Sequence, residues 1–171
     1  MFVLKSTAFE EGGTIPDKYA EKSNVSPPLS WEGAPKGTKS FALAVTDPDL
    51  PEQFNFPRNF IHWAVFNIPA AATSIPEGAS PGGAMPEGAR ELNTDYVTFQ
   101  IPGYGNHYGG PWPPDAAHRY VFTLYALKSE SLDLPDTADF GEFAKAVLPV
   151  TIMTASLVGY YGPAKEPLPG S

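Results

Sequence analysis

The sequence predicts a mainly β protein. Residues 119–127 alternate between two faces, with Val121 and Thr123 on one side and Tyr120 and Phe122 on the other, which is the periodicity of a strand. The 171-residue chain carries 20 prolines and 16 glycines along its whole length, and 13% of its residues are aromatic. This composition favours short strands joined by ordered turns, because a disordered chain lacks aromatic and β-branched residues.

The first half of the chain contains four predicted strands. Residues 2–9 alternate weakly, and residues 29–31 form a short apolar run. Residues 40–46 and 61–68 are the strongest upstream signals, and a proline closely follows each of them. Residues 70–91 show no period and predict a long Gly/Pro/Ala connection.

The second half mixes strands and helices. Residues 96–101 alternate and predict a strand. Residues 119–127 carry bulky side chains on both faces, which predicts a central strand rather than an edge strand.

Helical spacing is confined to the last third. Phe140, Phe143, Ala144 and Val147 predict a helix that begins at a capping Asp136 or Asp139 and ends at Pro149. Residues 152–158 predict a second short helix with Gly159 as its C-cap residue. The tail that follows Gly162 is expected to be loose.

Composition limits the classes of function. With 42% hydrophobic residues, the chain suits one domain spanning residues 1–171. Eleven Lys and Arg against nineteen Asp and Glu give a net charge of −8 without a basic cluster. Nucleic acids and anionic membrane surfaces are therefore excluded as expected partners, since both require a basic footprint.

The absence of cysteine excludes disulfides, zinc–thiolate sites and thiol catalysis. Residues 1–6 do not resemble a signal peptide, and no apolar run is long enough to span a bilayer. We therefore expect a cytoplasmic protein that is not integral to a membrane. Neither a Gly-x-Ser-x-Gly elbow nor a Walker or Rossmann loop is present, so no catalytic residue, cofactor or metal is predicted.

Polar residues at strand ends indicate a ligand site. Asp47 and Asp49 follow the strand at 40–46, His62 begins the next strand, and His118 follows the Gly/Pro-rich loop 103–114. Each residue also has a purely structural interpretation. His62 is expected to share one face of its strand with Ala64, Phe66 and Ile68, and a histidine on an apolar face is commonly a core residue. Asp-x-Asp around a proline commonly forms a turn.

The motifs together resemble one family. Their order and rough spacing are similar to those of the phosphatidylethanolamine-binding protein family, also called the Raf kinase inhibitor protein family, in its bacterial and archaeal branch. The resemblance covers about residues 24–162, and the segments that carry it are Ser26-Pro27-Pro28-Leu29-Ser30-Trp31, Asp47-Pro48-Asp49-Leu50-Pro51, His62-Trp63, Asn67-Ile68-Pro69, Tyr108-Gly109-Gly110-Pro111, His118-Arg119-Tyr120-Val121-Phe122 and Ala155-Ser156-Leu157-Val158-Gly159.

The resemblance implies an antiparallel β-sandwich with a large central sheet, a smaller sheet, Greek-key connections and short C-terminal helices. It also implies a pocket for a small anionic ligand such as phosphate, phosphoethanolamine or a nucleotide phosphate, and regulation of a kinase or another signalling partner. The implied ligand-binding residues are Asp47, Asp49, His62, Tyr108, Gly109, Gly110, Pro111, His118 and Tyr120. Members of this branch often carry Cys where this chain has Trp112, which changes the rim of the pocket.

A carboxylate beside a phosphate would repel it. We therefore expect Asp47 and Asp49 to hold His62, His118 or Arg119 and to raise the imidazole pKa, while imidazoles and loop amides face the ligand. Arg119 is expected on the face of its strand opposite to His118, in a buried ion pair that stabilises the site from behind.

Two alternatives remain open at this point. One is a hydrolase or isomerase that uses His62 and His118 as an acid–base pair. The other is an interaction protein, as a homodimer or with another protein, whose pocket is vestigial and whose rim of Phe54, Phe56, Phe60 and Trp112 makes the contact.

Overall fold

A computed structural model describes residues 1–51 and 59–169. Phe54 and Phe56 of the predicted rim lie outside the described residues. The strands are β1 (Val3–Lys5), β2 (Leu29–Glu32), β3 (Ser40–Asp47), β4 (Phe60–Pro69), β5 (Ser74–Ile75), β6 (Arg90–Glu91), β7 (His118–Leu127) and β8 (Thr151–Tyr161). The α-helices are α1 (Ala79–Gly82), α2 (Asp95–Thr98) and α3 (Phe140–Val147), and short 3-10 helices span Asp17–Tyr19, Glu21–Ser23 and Leu148–Val150.

The strands form two antiparallel sheets. The small sheet has the order β1-β2-β5, and the large sheet has the order β6-β4-β3-β7-β8. Strands β3, β4 and β6 are neighbours in the large sheet, with β5 of the small sheet in the connection between β4 and β6, and β7 returns to lie beside β3, which is a Greek-key arrangement. The predicted mainly β sandwich with a large and a small sheet is therefore confirmed.

The large sheet is buried on both faces. One face packs against the small sheet through a cluster that includes Trp31, Phe41 and Phe122. The other face is covered by a second cluster, to which α3 contributes Phe143 and Val147. Burial on both faces explains why β3 and β4 are almost continuously apolar rather than alternating.

Helix α3 has its N-cap at Asp139, which is one of the two capping residues that the sequence predicts. The Asp139 carboxylate accepts the backbone N–H of Glu142, whose side chain accepts the N–H of Asp139 in return. Pro149 lies in the 3-10 turn that follows the helix. Among the described residues, every helix is too short or too polar to cross a bilayer.

The predicted second helix at 152–158 is wrong, because these residues belong to strand β8. Ala155, Leu157 and Tyr161 are buried on one face of the strand, a period of two rather than 3.6. The β-branched residues of this segment also favour a strand. Pairing with β7, which lies far away in the sequence, decides the outcome.

The predicted strand at 96–101 is also wrong. The chain makes a single helical turn there, in which the amides of Val97 and Thr98 donate to the carbonyl of Thr94. The tail beyond Gly162 is not loose in the part that the structure describes. The amides of Lys165 and Glu166 both donate to the carboxylate of Glu21.

Candidate functional site

A pocket opens at the end of the large sheet where β3 ends and β4 and β7 begin. Its cavity volume is about 50 Å³, which is below the usual range of sites for drug-sized ligands and suits a small chemical group. Most of its lining is apolar. The lining residues are Asp47, Leu50, Phe60, His62, Tyr96, Trp112, Pro113, Pro114, Tyr120 and Leu168.

His62 reaches this pocket because of a β-bulge. Val45 pairs with Trp63 and Thr46 pairs with Ile61, so His62 is the extra residue of β4. Its ring packs edge-on against Tyr120 with 5.1 Å between centroids. The face predicted for His62, shared with Ala64 and Phe66, is therefore wrong: those two residues pack in the second cluster, on the α3 side.

A carbonyl fixes the tautomer of His62. Nδ1 lies 2.8 Å from the carbonyl oxygen of Gly109, and a carbonyl only accepts, so Nδ1 carries the proton. Nε2 therefore holds a lone pair in the neutral ring, and no described residue donates to it. Burial lowers the pKa of His62 below 6.5, outweighing the nearby Asp47 and the carbonyls of Gly109 and Gly110. The ring is neutral at pH 7, and the predicted rise of its pKa is wrong.

His118 belongs to a buried chain of charges behind the pocket. Its Nδ1 lies 2.7 Å from Oδ2 of Asp47, and its Nε2 lies 2.7 Å from Oδ1 of Asp115. Burial by itself would lower the pKa of His118, but hydrogen bonds to the two carboxylates and their charges raise it above 6.5. His118 thus neutralises Asp47 as an imidazolium.

His118 is close to the pocket but does not line it. Both of its ring nitrogens are bonded to carboxylates, so neither is available to a ligand. The expectation that its imidazole faces the ligand is wrong. His62 and His118 likewise do not face one common space in which an acid–base pair could act on a ligand.

Tyr120 lines the pocket beside His62. Its side chain is fully buried, and its hydroxyl makes no hydrogen bond with a described residue. Burial and the Asp47 carboxylate raise its pKa above the usual 10, so the hydroxyl keeps its proton. Tyr120 therefore offers the pocket a hydroxyl donor that lies near the Asp47 carboxylate but within hydrogen-bond distance of no described residue.

Asp49 and Arg119 lie outside the pocket lining. The Arg119 guanidinium donates to both carboxylate oxygens of Asp49, at 2.6 Å from Nη2 and 3.0 Å from Nε. Hydrogen bonding by Arg119 lowers the pKa of Asp49. The pair is not buried as expected, since the Arg119 side chain is 49% exposed. The backbone amide of Arg119 also donates to Asp49 at 2.8 Å, which connects the end of β3 to β7.

The loop amides expected to face the ligand are already bonded within the protein. The N–H of Gly109 donates to the carbonyl of His62 at 2.9 Å, and the N–H of Gly110 donates to Oδ1 of Asn24 at 3.1 Å. A Cβ on Gly109 would lie 2.5 Å from the ring of Tyr96. These glycines permit close packing and do not form an anion nest.

Tyr108 and Pro111 are structural too. The Tyr108 hydroxyl donates to the carbonyl of Tyr19 at 2.7 Å, and its ring packs edge-on against Trp63 in the core. The carbonyl of Pro111 accepts the amide of Glu21 at 2.8 Å. Tyr108, Gly109, Gly110 and Pro111 do not line the pocket.

Several lining residues had no signal in the sequence that marked them as site residues. The sequence predicts a strand at Tyr96 and a loose tail at Leu168, although both residues line the pocket. Trp112, predicted at the rim, is buried and donates from Nε1 to the carbonyl of Glu166 at 2.7 Å. This bond holds the C-terminal segment over the pocket, so its apolar wall comes from residues far apart in the sequence.

The described pocket does not have the positive charge that the sequence predicts from its histidines. The lining contains no Lys or Arg among the described residues, His62 is neutral, and the His118 charge is balanced by two carboxylates. The described part of the lining therefore carries no fixed positive charge. Among the same residues, no group of three His, Asp or Glu side chains has the arrangement of a metal site.

Comparison with known proteins agrees with the fold and the motifs. A family model described as phosphatidylethanolamine-binding protein matches residues 5–162. A UPF0098 protein of Methanothermobacter thermautotrophicus is 38% identical over 159 residues, which is 92% of this chain and 97% of that protein. The UPF0098 protein YbhB of Escherichia coli is 34% identical over 142 residues, covering 79% of this chain and 84% of YbhB.

Two crystal structures match nearly the whole chain. YbcL of E. coli, described as a new member of the mammalian PEBP family, superposes with a TM-score of 0.82 at 30% identity, covering 95% of this chain and 98% of YbcL. CT736 of Chlamydia trachomatis, described as a homologue of phosphatidylethanolamine-binding protein, has a TM-score of 0.80 at 32% identity, with 95% and 97% covered. The chain belongs to the phosphatidylethanolamine-binding protein family.

Proposed function

We propose that this protein binds a small phosphate-bearing ligand in the pocket, with the phosphate as a singly protonated monoanion. The observation that carries the proposal is a pair of adjacent polar groups without hydrogen-bond partners among the described residues. Tyr120 supplies a donor and Nε2 of His62 an acceptor. A hydrogen phosphate group has a P–O–H donor for His62 and an oxygen acceptor for Tyr120, so it satisfies both.

The charge of the pocket supports the same form of the ligand. A dianion would face the Asp47 carboxylate without any Lys or Arg in the described lining to compensate for it. A buried charge without compensation is costly. A monoanion with one proton reduces this cost and uses that proton in a hydrogen bond.

The apolar wall suits the remainder of a phosphate ester. Leu50, Trp112, Pro113 and Leu168 contribute apolar surface to the lining. A phosphate monoester with a short organic arm therefore fits the pocket better than inorganic phosphate. Phosphoethanolamine and nucleotide phosphates both satisfy this chemistry.

The test is a calorimetric titration with phosphate, phosphoethanolamine and sulfate. Phosphate esters carry a second pKa of about 6, so affinity is expected to fall as pH rises through that value. Sulfate has no proton at neutral pH and offers His62 only acceptors, so it is expected to bind at least ten-fold more weakly. Equal affinity for sulfate and phosphate would show that His62 is a donor and would overturn the protonated form proposed here.

Tyr120→Phe and His62→Ala are expected to abolish binding with the fold intact. Tyr108→Phe is the matched control, because it removes a buried hydroxyl from the neighbouring loop that already donates to Tyr19. If Tyr120→Phe leaves the affinity unchanged, this pocket is not the phosphate site.

Two further proposals do not depend on the pocket. One, implied by the family resemblance, is regulation of a kinase or another signalling protein, and the other is a cytoplasmic location, which the absence of cysteine favours. A pull-down from the native host, compared between the protein and its Tyr120→Phe variant, tests whether ligand and protein partner are linked. Cell fractionation tests the location.

A further inference from the structure

Four exposed lysines lie at the end of the large sheet opposite to the pocket. Lys39 directly precedes β3, Lys128 directly follows β7, and Lys36 lies in the turn before β3. Lys145 lies in the last turn of α3, shortly before β8 begins. The sequence shows no basic cluster, because these lysines come from three separate segments. Strand pairing brings the segments to one end of the molecule.

Backbone hydrogen bonds fix this arrangement. The amide of Lys39 donates to the carbonyl of Leu127 at 2.7 Å, and the amide of Lys128 donates to the carbonyl of Val150 at 2.9 Å. The start of β3, the end of β7 and the start of β8 are therefore held side by side. The positions of the lysine backbones do not depend on a mobile loop.

Exposed apolar side chains lie at the same end of the sheet. Leu148, Ile152 and Met153 are 60%, 38% and 47% exposed. A Cβ on Gly37, in the turn before β3, would lie 3.9 Å from Cδ1 of Ile152. Leu148 lies three residues after Lys145, so the two are neighbours at the helix end. Apolar residues with a charged rim mark contact sites. We call these three residues and the four lysines the lysine surface.

The lysine surface has ammonium groups without carboxylate partners. Within the described part of the chain, none of its four lysines makes an ion pair, whereas Lys5, Lys18, Lys22 and Lys165 each pair with a carboxylate. The chain has nineteen Asp and Glu against eleven Lys and Arg, so carboxylates are not scarce. The four unpaired lysines therefore produce a local positive potential on an acidic protein.

We propose that the lysine surface binds an acidic segment of another protein that also carries apolar side chains. Its carboxylates would lie opposite the lysines, and its apolar side chains would cover Leu148, Ile152 and Met153. The net charge of −8 does not prevent this, because charges beyond about 8 Å are largely screened at physiological salt.

A narrow segment fits this surface better than an anionic bilayer does. Glu130 and Glu142 are exposed carboxylates at its border, two residues from Lys128 and three from Lys145. An extended anionic plane would meet these carboxylates together with the lysines and would be repelled by them. A narrow segment follows the lysines alone.

The lysine surface is independent of the proposed phosphate site. Strand β7 has 10 residues between the two ends of the sheet, which corresponds to about 30 Å. This distance is well beyond the range of screened charges. Substitutions in the lysine surface should therefore leave phosphate binding unchanged, and a failure of either proposal does not affect the other.

The test is fluorescence anisotropy with a labelled synthetic peptide of Asp, Glu and Leu. The protein is expected to bind it at physiological salt and to lose at least about ten-fold in affinity at 1 M salt, where the screening length falls to about 3 Å. A peptide with Asn and Gln in place of Asp and Glu is expected to bind at least about ten-fold more weakly. Equal affinity for the two peptides, or no binding of the acidic one, overturns the proposal.

Lys39→Glu and Lys128→Glu are the decisive variants, and each is expected to weaken peptide binding at least about ten-fold. Lys18→Glu is the matched control, because it changes the net charge equally at a lysine that is 59% exposed and paired with Glu77. It is expected to bind the peptide almost like the unmodified protein. Lys39→Ser and Lys128→Ser remove charge without adding repulsion, in case a reversal disturbs folding.

Two outcomes with these variants contradict the proposal. Equal weakening by Lys18→Glu and Lys39→Glu would show that the peptide responds to net charge and not to this surface. Vesicles of phosphatidylserine and phosphatidylcholine provide the other comparison. Vesicle binding that Lys39→Glu abolishes, without binding of the peptide, would assign the surface to a membrane instead.

Discussion

Asp47→Asn is expected to destabilise the protein and to change how its stability depends on pH. Both oxygens of Asp47 accept hydrogen bonds, Oδ2 from His118 at 2.7 Å and Oδ1 from the Asp49 amide at 2.8 Å. Asparagine supplies one acceptor and one donor, so it fits both positions only if His118 loses its Nδ1 proton. The substitution thus replaces a buried ion pair by a neutral hydrogen bond.

The burial of the pair sets the magnitude. The side chains of His118 and Asp47 are only 2% and 3% exposed. Removing one partner of a buried pair costs about 3–5 kcal/mol when the other charge stays behind. His118 can avoid this by losing its proton, and Asp115 remains as a partner. We therefore expect a loss of about 3 kcal/mol in the free energy of unfolding near pH 6.5, at the lower end of that range.

The sign of the pH dependence follows from the raised pKa of folded His118. Stabilisation by this group is complete below the unfolded value of about 6.5 and is lost as pH rises through the folded pKa. The cost of Asp47→Asn is therefore expected to shrink as pH increases in this window. His62, whose pKa is lowered, acts with the opposite sign but only below about 6.5.

Urea denaturation followed by tryptophan fluorescence at several pH values between about 6.5 and 9 measures the effect. Asp115→Asn is the matched control, since Asp115 bonds to the same ring but is 32% exposed, so its loss should be smaller. A loss below about 1 kcal/mol for Asp47→Asn, or one that does not vary with pH, would refute the buried ion pair.

Two further substitutions test the packing around the site. Gly110→Ala is expected to cost about 3 kcal/mol or more by the same denaturation assay, because its Cβ would lie 2.5 Å from the carbonyl oxygen of Tyr19, whereas Gly82→Ala, with open space around its Cβ, should be nearly neutral. Arg119→Ala should reduce stability far less than Asp47→Asn, and the reduction should fall in high salt, because the side chains of Arg119 and Asp49 are 49% and 28% exposed.

Equal stability losses for the two glycine substitutions would show that the loop around Gly110 relaxes freely. A loss for Arg119→Ala that persists at high salt would show that its pair is shielded from solvent. Thermal unfolding of the same variants provides an independent measure of both results.

Local patterns in the sequence were sufficient for much of the fold. The apolar runs at 40–46 and 61–68, the alternation at 119–127 and the helix after Asp139 all appear where they were predicted. Each of these signals is local, because the apolar pattern that predicts a buried strand or helix face involves residues close together in the chain. The resemblance of the ordered motifs identified the family for the same reason.

Long-range contacts decided which site residues face the pocket. Periodicity placed His62 on the wrong face, because the bulge opposite Val45 and Thr46 depends on how two strands pair. It also could not show that His118 bonds two carboxylates, or that the loop amides bond Asn24 and His62. Such partners are chosen by three-dimensional proximity, which a pattern in one segment does not encode.

The sequence by itself thus determined the strand-rich architecture, the family and three of the residues that line the pocket. Only the tertiary structure decided that Asp47, His62 and Tyr120 line the pocket while His118, Arg119 and the glycines support it from outside. The physical reason is that the apolar pattern of a buried strand or helix lies within one segment of the sequence. The hydrogen bonds and the charge balance of the pocket, in contrast, form only when distant segments meet.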